Sequence, residues 1–361
     1  MFAPALRRRA TVLLAALAAV GLAAGCSRAQ ESTPAAPTST SPATELRLGY
    51  FPNITHAPAL IGVAQNYFAQ ELGSGTKLTT QTFNAGPDEV NALLGGSLDA
   101  GFIGSSPAIN AFAKSDGEAV RLIAGSTSAG AQLVTSPDIT TPDQLKGKTI
   151  ATPQAGNTQD VALKKWLKEN NLEIGEGPDK VTVQNIDNPR TLDLFKQGQV
   201  SGGWLPEPWS SRLVDAGATV LVDEKSLWPD GKFPTTVLIV RTQFLQEHPQ
   251  TVEALLRGEL KAIDFASSNP DEAKKITNDS IKQITNSSLS QPVLDRAFSE
   301  LSFDSDPLAS TFPQLSEDSV TAGATPTETN LQGFVDVTAL NTVRQAAGQT
   351  PVDAAGLDKQ G

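Results

Sequence analysis

The strongest constraint on the fold is an alternation of strands and helices that occurs in two successive stretches of the chain. In the first stretch, short apolar strands such as Glu45–Tyr50 precede segments whose apolar residues recur at helical spacing. The alternation resumes at about residue 149 and continues to about residue 222. Alternation of this kind predicts an α/β protein with two mostly parallel sheets, each covered by helices on both faces.

Local patterns predict the extent of several elements. Helical spacing predicts one continuous helix over residues 57–72, and a strand is expected over residues 120–124, with no further strand before residue 149. From a strand over residues 235–240 the chain is expected to be largely helical. One apolar stripe in this region consists of Val252, Leu255, Leu256, Leu260 and Ile263.

Residues 94–103 and 196–205 resemble each other at an offset of 102 residues. In both copies a helix ends at a glycine, a short strand of small residues follows, and a polar or proline-containing turn opens the next helix. The repeat predicts two similar lobes that present strand ends and helix N-termini to a shared crevice.

The N-terminal residues have the pattern of an export signal. Three arginines precede an uncharged apolar run over residues 10–24, which is too short to cross a bilayer core of about 30 Å. The run ends at Cys26, the single cysteine of the chain, in a sequence that resembles a bacterial lipobox; the alternative is a plain secretory signal. We predict a signal peptide over residues 1–25, and lipidation (palmitate-type acylation) of Cys26 followed by a flexible linker, together over residues 26–44.

An excess of acidic residues restricts the partners of this chain. The sequence has 39 Asp and Glu against 28 Lys and Arg, and its formal net charge is −11. This charge argues against broad nucleic-acid binding and against an electrostatic hold on anionic lipids. One Cys and two His are too few for a Cys/His zinc site, an iron–sulfur cluster or an intrachain disulfide. No metal or cofactor is predicted.

The sequence contains no recognisable catalytic set. It has neither the G-x-S-x-G pattern of a nucleophile elbow nor the Walker A pattern of an ATPase. His248 precedes Pro249 and is expected at the surface, whereas His56 is expected to form a hydrogen bond or to contact a ligand. We therefore predict a protein that is not an enzyme.

Three polar turns are expected at the carboxyl ends of predicted strands. Their polar side chains are Asn53, Thr55 and His56 in the first turn, Ser105 and Ser106 in the second, and Asn157 and Thr158 in the third. Each turn places hydroxyl or amide groups beside the free N–H groups of a helix start, which favours an anion. Helix capping alone also explains Ser, Thr and Asn at such positions. Three turns that face one cleft favour ligand contact.

Several segments, taken in order, resemble the sulfonate, nitrate and taurine branch of the ABC-transporter solute-binding proteins. They lie at residues 49–59, 83–87, 96–101, 145–151 and 203–209. The resemblance extends from about residue 46 to 300. It implies a two-lobed periplasmic-binding-protein-like fold of type II with two crossover segments and a helical C-terminal part. Lobe one would comprise residues 45–132 and 235–361, and lobe two residues 133–234. The residues after about 305 are not assigned to any element.

The resemblance also implies a set of ligand contacts. By position they are Asn53, Thr55, His56, Ser105, Ser106, Asn157, Thr158, Trp204, Glu207, Trp209 and Thr235. Core packing is an equally good explanation of the two tryptophans, and Glu207 is better explained as a helix-start cap than as an anion contact.

The function implied by the resemblance is that of a monomeric, lipid-anchored receptor on the outer face of the cytoplasmic membrane or in the periplasm. It would bind an aliphatic sulfonate, taurine or a sulfate ester and pass it to the transmembrane subunit of an ABC importer. Nitrate, bicarbonate or a thiamine- or riboflavin-related precursor is the alternative ligand. An enzyme on the same scaffold and a surface sensor or adhesin are the alternative functions.

Overall fold

The computed structural model of the protein describes residues 41–358, which belong to one compact unit. The strands are β1 (Glu45–Tyr50), β2 (Lys77–Thr82), β3 (Ala100–Ile103), β4 (Val120–Ala129), β5 (Ala131–Thr135), β6 (Thr149–Thr152), β7 (Thr182–Asn185), β8 (Gly202–Pro206), β9 (Thr219–Asp223), β10 (Pro234–Arg241) and β11 (Leu301–Phe303). The α-helices are α1 (Ala57–Ala64), α2 (Tyr67–Leu72), α3 (Gly86–Leu94), α4 (Ser105–Ala113), α5 (Thr158–Glu169), α6 (Asn188–Lys196), α7 (Trp209–Asp215), α8 (Thr242–Glu247), α9 (Pro249–Ser268), α10 (Pro270–Thr285), α11 (Gln291–Ser299), α12 (Phe312–Thr321) and α13 (Thr338–Ala346).

The strands form two sheets with the same internal layout. Sheet A has the order β11-β4-β10-β3-β1-β2 and sheet B the order β7-β6-β8-β5-β9. In each sheet three strands are parallel: β2, β1 and β3 in sheet A, and β7, β6 and β8 in sheet B. An α/β fold with two sheets, as predicted, is confirmed.

The expectation of mostly parallel sheets is wrong, because both sheets are mixed. In sheet A, β10 is antiparallel to β3 and to β4, and β11 is antiparallel to β4. In sheet B, β5 is antiparallel to β8 and to β9. The physical reason is the connection between the sheets: the chain leaves sheet A along β4 and returns along β10, so these two strands run in opposite directions.

Two crossover segments join the sheets, as predicted. The first passes through Gly130, which separates β4 from β5, and the second lies between β9 and β10. The internal repeat also has a structural counterpart. Gly96 and Gly198 follow equivalent helices with φ of 70–72°, and β3 and β8 are the equivalent strands that come next. The predicted lobe boundaries stay a prediction.

Several predicted elements need correction. The helix expected over residues 57–72 is two helices, because Asn66 adopts the left-handed conformation between α1 and α2. The strand expected over residues 120–124 continues to Ala129, and β5 was not predicted. Both lie in the first crossover, where buried residues on both faces remove the alternation that marks a half-buried strand.

The C-terminal residues complete the core around sheet A. The predicted apolar stripe of α9 is buried, and Phe334 packs between Phe112 and Phe312 with ring centroids 5.0 and 5.3 Å away. Helix α12 packs against α4, which follows a strand of sheet A, and against α5, which follows a strand of sheet B. The segment after residue 305, which was not assigned to any element from the sequence, therefore bridges the helices of the two sheets.

The export signal and lipid anchor concern residues outside the described part of the chain. The predicted signal peptide, Cys26 and the first residues of the predicted linker all precede residue 41. Among residues 41–358, no helix combines the length and the apolar character that a bilayer crossing needs.

Candidate functional site

A small buried cavity lies between the strand ends of the two sheets. Its volume is about 30 Å³, room for about two water molecules. Its walls come from both sheets: the segments after β1, β2 and β3 with Thr235 of β10 on one side, and the segments after β6 and β7 with Pro206 at the end of β8 on the other. The lining residues are Phe51, Asn53, Thr55, His56, Asn84, Ala85, Gly86, Gly104, Pro107, Pro153, Asn157, Thr158, Gln159, Asn188, Pro206 and Thr235. We call this space the inner cavity.

Four α-helices begin at the inner cavity. They are α3, α4, α5 and α6, and a short 3₁₀ helix, Ile54–His56, begins there as well. The starts of α3, α4 and α6 have no side-chain cap at their N-cap residues. Pro87, Pro107 and Pro189 in their first turns have no N–H, and the N–H of Ser106 donates to Thr158 Oγ1, so the remaining first-turn N–H groups are the ones available to a ligand. Because these groups and the helix dipoles both favour negative charge, the inner cavity is suited to an anion.

The starts of α3 and α4 approach each other closely at Gly86. A Cβ atom at this position would lie 2.3 Å from Pro107 Cγ, a residue of the first turn of α4. Only glycine permits that approach without displacing the proline ring. The segment Phe83-Asn84-Ala85-Gly86-Pro87 therefore has a packing role at the cavity wall.

The described side chains that line the inner cavity include no Asp, Glu, Lys or Arg. The single imidazole, His56, is neutral near pH 7, because burial lowers its pKa to about 3. Its Nδ1 accepts a hydrogen bond from the N–H of Phe51 at 3.3 Å, which leaves the proton on Nε2. The inner cavity thus offers hydrogen-bond donors without a formal positive charge.

Six of the eleven predicted ligand contacts line the inner cavity. They are Asn53, Thr55, His56, Asn157, Thr158 and Thr235. Asn157 also caps α5, since its Oδ1 accepts the N–H of Asp160 at 2.9 Å. Thr235 donates its hydroxyl hydrogen to the carbonyl of Ala129, at the first crossover.

Ser105 and Ser106 are not among the residues that line the inner cavity, although their neighbours Gly104 and Pro107 are. Both hydroxyl oxygens are buried and have no hydrogen-bond partner within the described part of the chain. The N–H of Ser106 donates to Thr158 Oγ1 at 3.4 Å, so the starts of α4 and α5 are joined across the crevice.

The three predicted contacts on and after β8 lie outside the inner cavity. Trp204 is fully buried, and its Nε1 donates to Glu224 Oε2 at 2.7 Å. Trp209 donates from Nε1 to Asn53 Oδ1 at 3.0 Å, which links the start of α7 to the turn after β1.

Glu207 lies in a buried polar cluster at the start of α7. Its carboxylate accepts hydrogen bonds from Ser210 Oγ at 2.6 Å, from the N–H of Ser211 at 3.2 Å and from Arg296 Nη1 at 3.1 Å. Burial raises the pKa of this carboxyl against the opposing effect of those donors. The capping explanation considered for Glu207 thus agrees with its contacts.

Sequence reasoning missed three amide side chains of the inner cavity: Gln159 in the first turn of α5, and Asn84 and Asn188. Asn84 follows β2 and Asn188 follows β7, so both come from the outer parallel strand of their sheet. The sequence marked Asn84 and Asn188, because proline is common in the first turn of a helix. Pro87 lies three residues after Asn84, and Pro189 directly follows Asn188. The side-chain oxygen Oδ1 of Asn188 is buried and has no partner within residues 41–358.

A comparison with protein-family profiles identifies the family of the chain. The sequence profile of the NMT1-like family matches residues 39–279. The chain belongs to the NMT1-like family. Within residues 41–358, no group of His, Cys, Asp and Glu side chains has an arrangement that could hold a metal ion.

Relatives of this NMT1-like protein include a taurine-binding protein and a bicarbonate-binding protein. It is 30% identical over 217 residues to the taurine-binding periplasmic protein of Escherichia coli strain K12, a match covering 59% of this chain and 64% of that protein. It is 25% identical over 291 residues to the bicarbonate-binding protein CmpA of Synechococcus, covering 69% of this chain and 60% of CmpA. The chain therefore spans less than two thirds of the length of these two relatives.

Solved structures show the same fold. The crystal structure of the periplasmic aliphatic sulphonate binding protein SsuA from Escherichia coli superposes with a TM-score of 0.63 at 18% identity, covering 79% of this chain and 95% of SsuA. The two-lobed periplasmic-binding-protein architecture predicted from the sequence is confirmed.

Proposed function

We propose that this protein is an extracytoplasmic receptor that binds a small oxyanion in the inner cavity and delivers it to an ABC permease. The observation that carries the proposal is the convergence of helix starts on a buried cavity whose lining side chains are neutral. Amide N–H groups and helix dipoles solvate an oxyanion without a counter-charge, which suits reversible capture and release.

An organosulfonate is the ligand class that we favour. A sulfonate head presents three acceptor oxygens and no proton to donate, and the inner cavity supplies N–H, hydroxyl and amide donors from both sheets. The relative that binds taurine and the structural neighbour that binds aliphatic sulphonates support this choice. A small inorganic oxyanion is the second candidate, since the volume of about 30 Å³ suits one and CmpA binds bicarbonate.

Closure of the two lobes on the ligand is the proposed mechanism. Hydrogen bonds already join the two sides of the crevice, from Trp209 to Asn53 and from Ser106 to Thr158. A third joins Gln154 Nε2 to Asp88 Oδ2 at 3.0 Å. A ligand with higher affinity for the joined form shifts the equilibrium towards it, and the joined form is the one that the permease would recognise.

The lipid anchor is part of the proposal. Cys26 would be acylated after cleavage of residues 1–25, and the residues that follow would tether the receptor to the membrane. The linker expected to reach residue 44 ends earlier, because Ala43 is buried and its N–H donates to Thr251 Oγ1 at 2.8 Å. Mass spectrometry of the mature N-terminus separates a diacylated cysteine from a plainly cleaved secretory protein.

A thermal-shift panel tests the proposed function. Ethanesulfonate, nitrate, bicarbonate and thiamine are each added to the purified receptor, and one oxyanion class is expected to raise the melting temperature. At a hundredfold excess over Kd the stabilisation should be about 2.7 kcal/mol. If no oxyanion raises the melting temperature, the proposed receptor function is contradicted. Conversion of the ligand into a product would favour an enzyme.

The two histidines provide a matched pair of variants. His56→Leu should weaken oxyanion binding about tenfold, because the Nε2–H donor in the wall is lost. His248→Leu, which changes the histidine before α9, should bind like wild type. Equal binding by both variants would remove His56 from the site.

A further inference from the structure

Helix α12 is attached to the side of sheet A by apolar side chains. Its residues Phe312 and Leu315 are buried in the core that surrounds this sheet. The ring of Phe334 packs against both Phe312 and Phe112 of α4. The core of sheet B includes side chains of α5 but none of the described residues of α12. Because apolar surfaces are costly to separate in water, α12 is fixed to sheet A.

An ion pair joins α12 to α5, which lies on the side of sheet B. Asp318 Oδ2 is 3.9 Å from Lys165 Nζ, and the two side chains are 7% and 19% exposed. The other oxygen of Asp318, Oδ1, accepts a hydrogen bond from Gln314 Nε2 at 2.9 Å. The lysine also lies 3.3 Å from Glu169 Oε1 on its own helix. An ion pair of this kind holds two elements together, and water hydrates both charges when the elements separate.

A second carboxyl group near this ion pair belongs to Glu224, at the start of the second crossover. Glu224 is buried, and its Oε2 accepts a hydrogen bond from Trp204 Nε1 at 2.7 Å. Burial raises the pKa of Glu224 to about 8, the indoles of Trp204 and Trp228 lower it, and the charges of Asp318 and Lys165 act on it in opposite directions. Lys165 therefore interacts with carboxyl groups of both α12 and the second crossover.

The junction between α12, α4 and α5 is not closely packed at the C-terminal end of α12. A cavity of about 280 Å³ lies there. Gly323 and Ala324 line it from the turn after α12, together with Asn110 of α4 and Lys164 of α5. Interfaces between domains that move relative to each other are more polar than a domain core. The contact of α12 with α5 thus has the character of a separable interface, whereas its contact with sheet A does not.

We infer that Lys165 and Asp318 are positioning residues that hold the two lobes closed on the ligand, with α12 as a latch between them. The inference rests on the proposed function and concerns the regulation of its site. When the lobes separate, α12 stays with sheet A and the ion pair breaks. Neither residue lines the inner cavity, so both act on the equilibrium between open and closed forms and not by contact with the anion.

Stopped-flow kinetics with ethanesulfonate, nitrate and bicarbonate test the inference. The anion enters the open form and leaves only after the lobes open, so loss of the latch should raise koff and leave kon within about twofold of wild type. Lys165→Met should raise koff at least about fivefold, because a largely buried charge pair is broken. Lys168→Met, at an exposed position of the same helix, should match wild type. Equal koff values in the two variants, or a change confined to kon, would overturn the inference.

Reversal of the charges distinguishes an ionic latch from a general loss of structure. Asp318→Lys should raise koff at least as much as Lys165→Met, because it brings two cations together. Asp318→Lys combined with Lys165→Asp restores opposite charges and should return koff to within about threefold of wild type. A double variant no better than Asp318→Lys alone would overturn the inference. Urea unfolding checks that each variant is folded, and where one is not, the comparison of Lys165→Met with Lys168→Met decides.

The wild-type protein separates failure of the inference from failure of the proposed function. If it binds none of the three anions, the proposed function fails and the inference fails with it. If it binds one of them and Lys165→Met releases that anion at the wild-type rate, the inference fails alone.

Discussion

The two lobes use the same strand layout but treat the carboxyl group behind the cavity wall differently. On α5, beside sheet B, Asp160 accepts hydrogen bonds from Thr152 Oγ1, Asn185 Nδ2 and the N–H of Gly156, each at 2.9 Å, and pairs with Lys164 at 2.8 Å. On α3, beside sheet A, Glu89 is fully buried and neither oxygen has a hydrogen-bond partner within the described residues.

The surroundings of Glu89 explain the contrast. Its Oε1 lies 2.2 Å from the position of a Cβ atom at Gly49 and 2.3 Å from that at Gly101, so the carboxyl occupies the space left by two glycines on β1 and β3. Burial raises the pKa of this carboxyl well above its usual value. The two helices are not counterparts in the internal repeat, where α3 corresponds to α6. The two lobes thus each place a buried carboxyl group on a helix that begins at the inner cavity, one without a hydrogen-bond partner among the described residues and one with several.

The largest effect is expected from removal of the bonded acid. Asp160→Ala leaves Lys164 and three donors without their common acceptor, and breaking a buried pair costs about 3–5 kcal/mol. Urea unfolding should show this loss, with Asp143→Ala, which breaks an exposed pair with Lys146, within about 1 kcal/mol of wild type. A loss from Asp160→Ala as small as that of the control would contradict the contrast between the lobes.

A smaller effect is expected where the lobes meet, at Arg296. Its guanidinium donates to Glu207 Oε1, to Ser211 Oγ at 2.7 Å and to Gln132 Oε1 at 2.6 Å. Arg296→Met should cost about 2–3 kcal/mol, because hydrogen bonds to a buried carboxylate are lost. Lys274→Met removes a surface pair with Asp295 and should cost less than about 1 kcal/mol. Equal losses in the two variants would refute a stabilising role for the Arg296 cluster.

The neutral acid of α3 should appear in the pH dependence of stability. The pKa of Glu89 is raised in the folded protein, so its contribution is fully present below the unfolded pKa of about 4.3 and is lost as pH rises through the folded value. Glu89→Gln should therefore be more stable than wild type on the alkaline side and close to it at about pH 5. Parallel stability curves for the two proteins, measured by urea unfolding across pH, would show that Glu89 does not titrate differently on folding.

The smallest effects are expected at the helix caps. Asn157 caps α5, so Asn157→Ala should cost about 1 kcal/mol of stability and should also weaken ligand binding. Asp187 at the start of α6 makes no side-chain cap, so Asp187→Ala should change stability by less than about 0.5 kcal/mol. Chemical denaturation gives the free energy of unfolding of both variants. A larger loss in Asp187→Ala than in Asn157→Ala would contradict the assignment of Asn157 as the capping residue.

Much of the fold followed from the sequence because its signals are local. The apolar periods of β1 and α9 and the glycines after α3 and α6 mark element ends whatever the rest of the chain does. The full length of β4 and the presence of β5 could not be predicted from the sequence, because both strands are buried on both faces and show no alternation of polar and apolar residues. Helix α12 depends on contacts with α4 and α5, more than a hundred residues away in the chain, and no local pattern reports such contacts.

The candidate site was predictable to the same extent. Turns after the central strands were found from their polar residues and from the strand-end rule, which brought Asn53, His56 and Asn157 to one cavity. Trp204 and Glu207 lie on the same stretch of chain but face buried partners instead. Which way a residue on a strand or at a helix start faces depends on packing from other elements, and the order of residues does not show it.

A crystal structure of the protein with bound ethanesulfonate would show directly which groups hold the anion. The sulfonate oxygens should lie within hydrogen-bond distance of first-turn N–H groups of α3, α4 or α6 and of His56 Nε2, with no Lys or Arg side chain in contact. A sulfonate held by a cationic side chain, or bound away from the strand ends of the two sheets, would contradict this expectation.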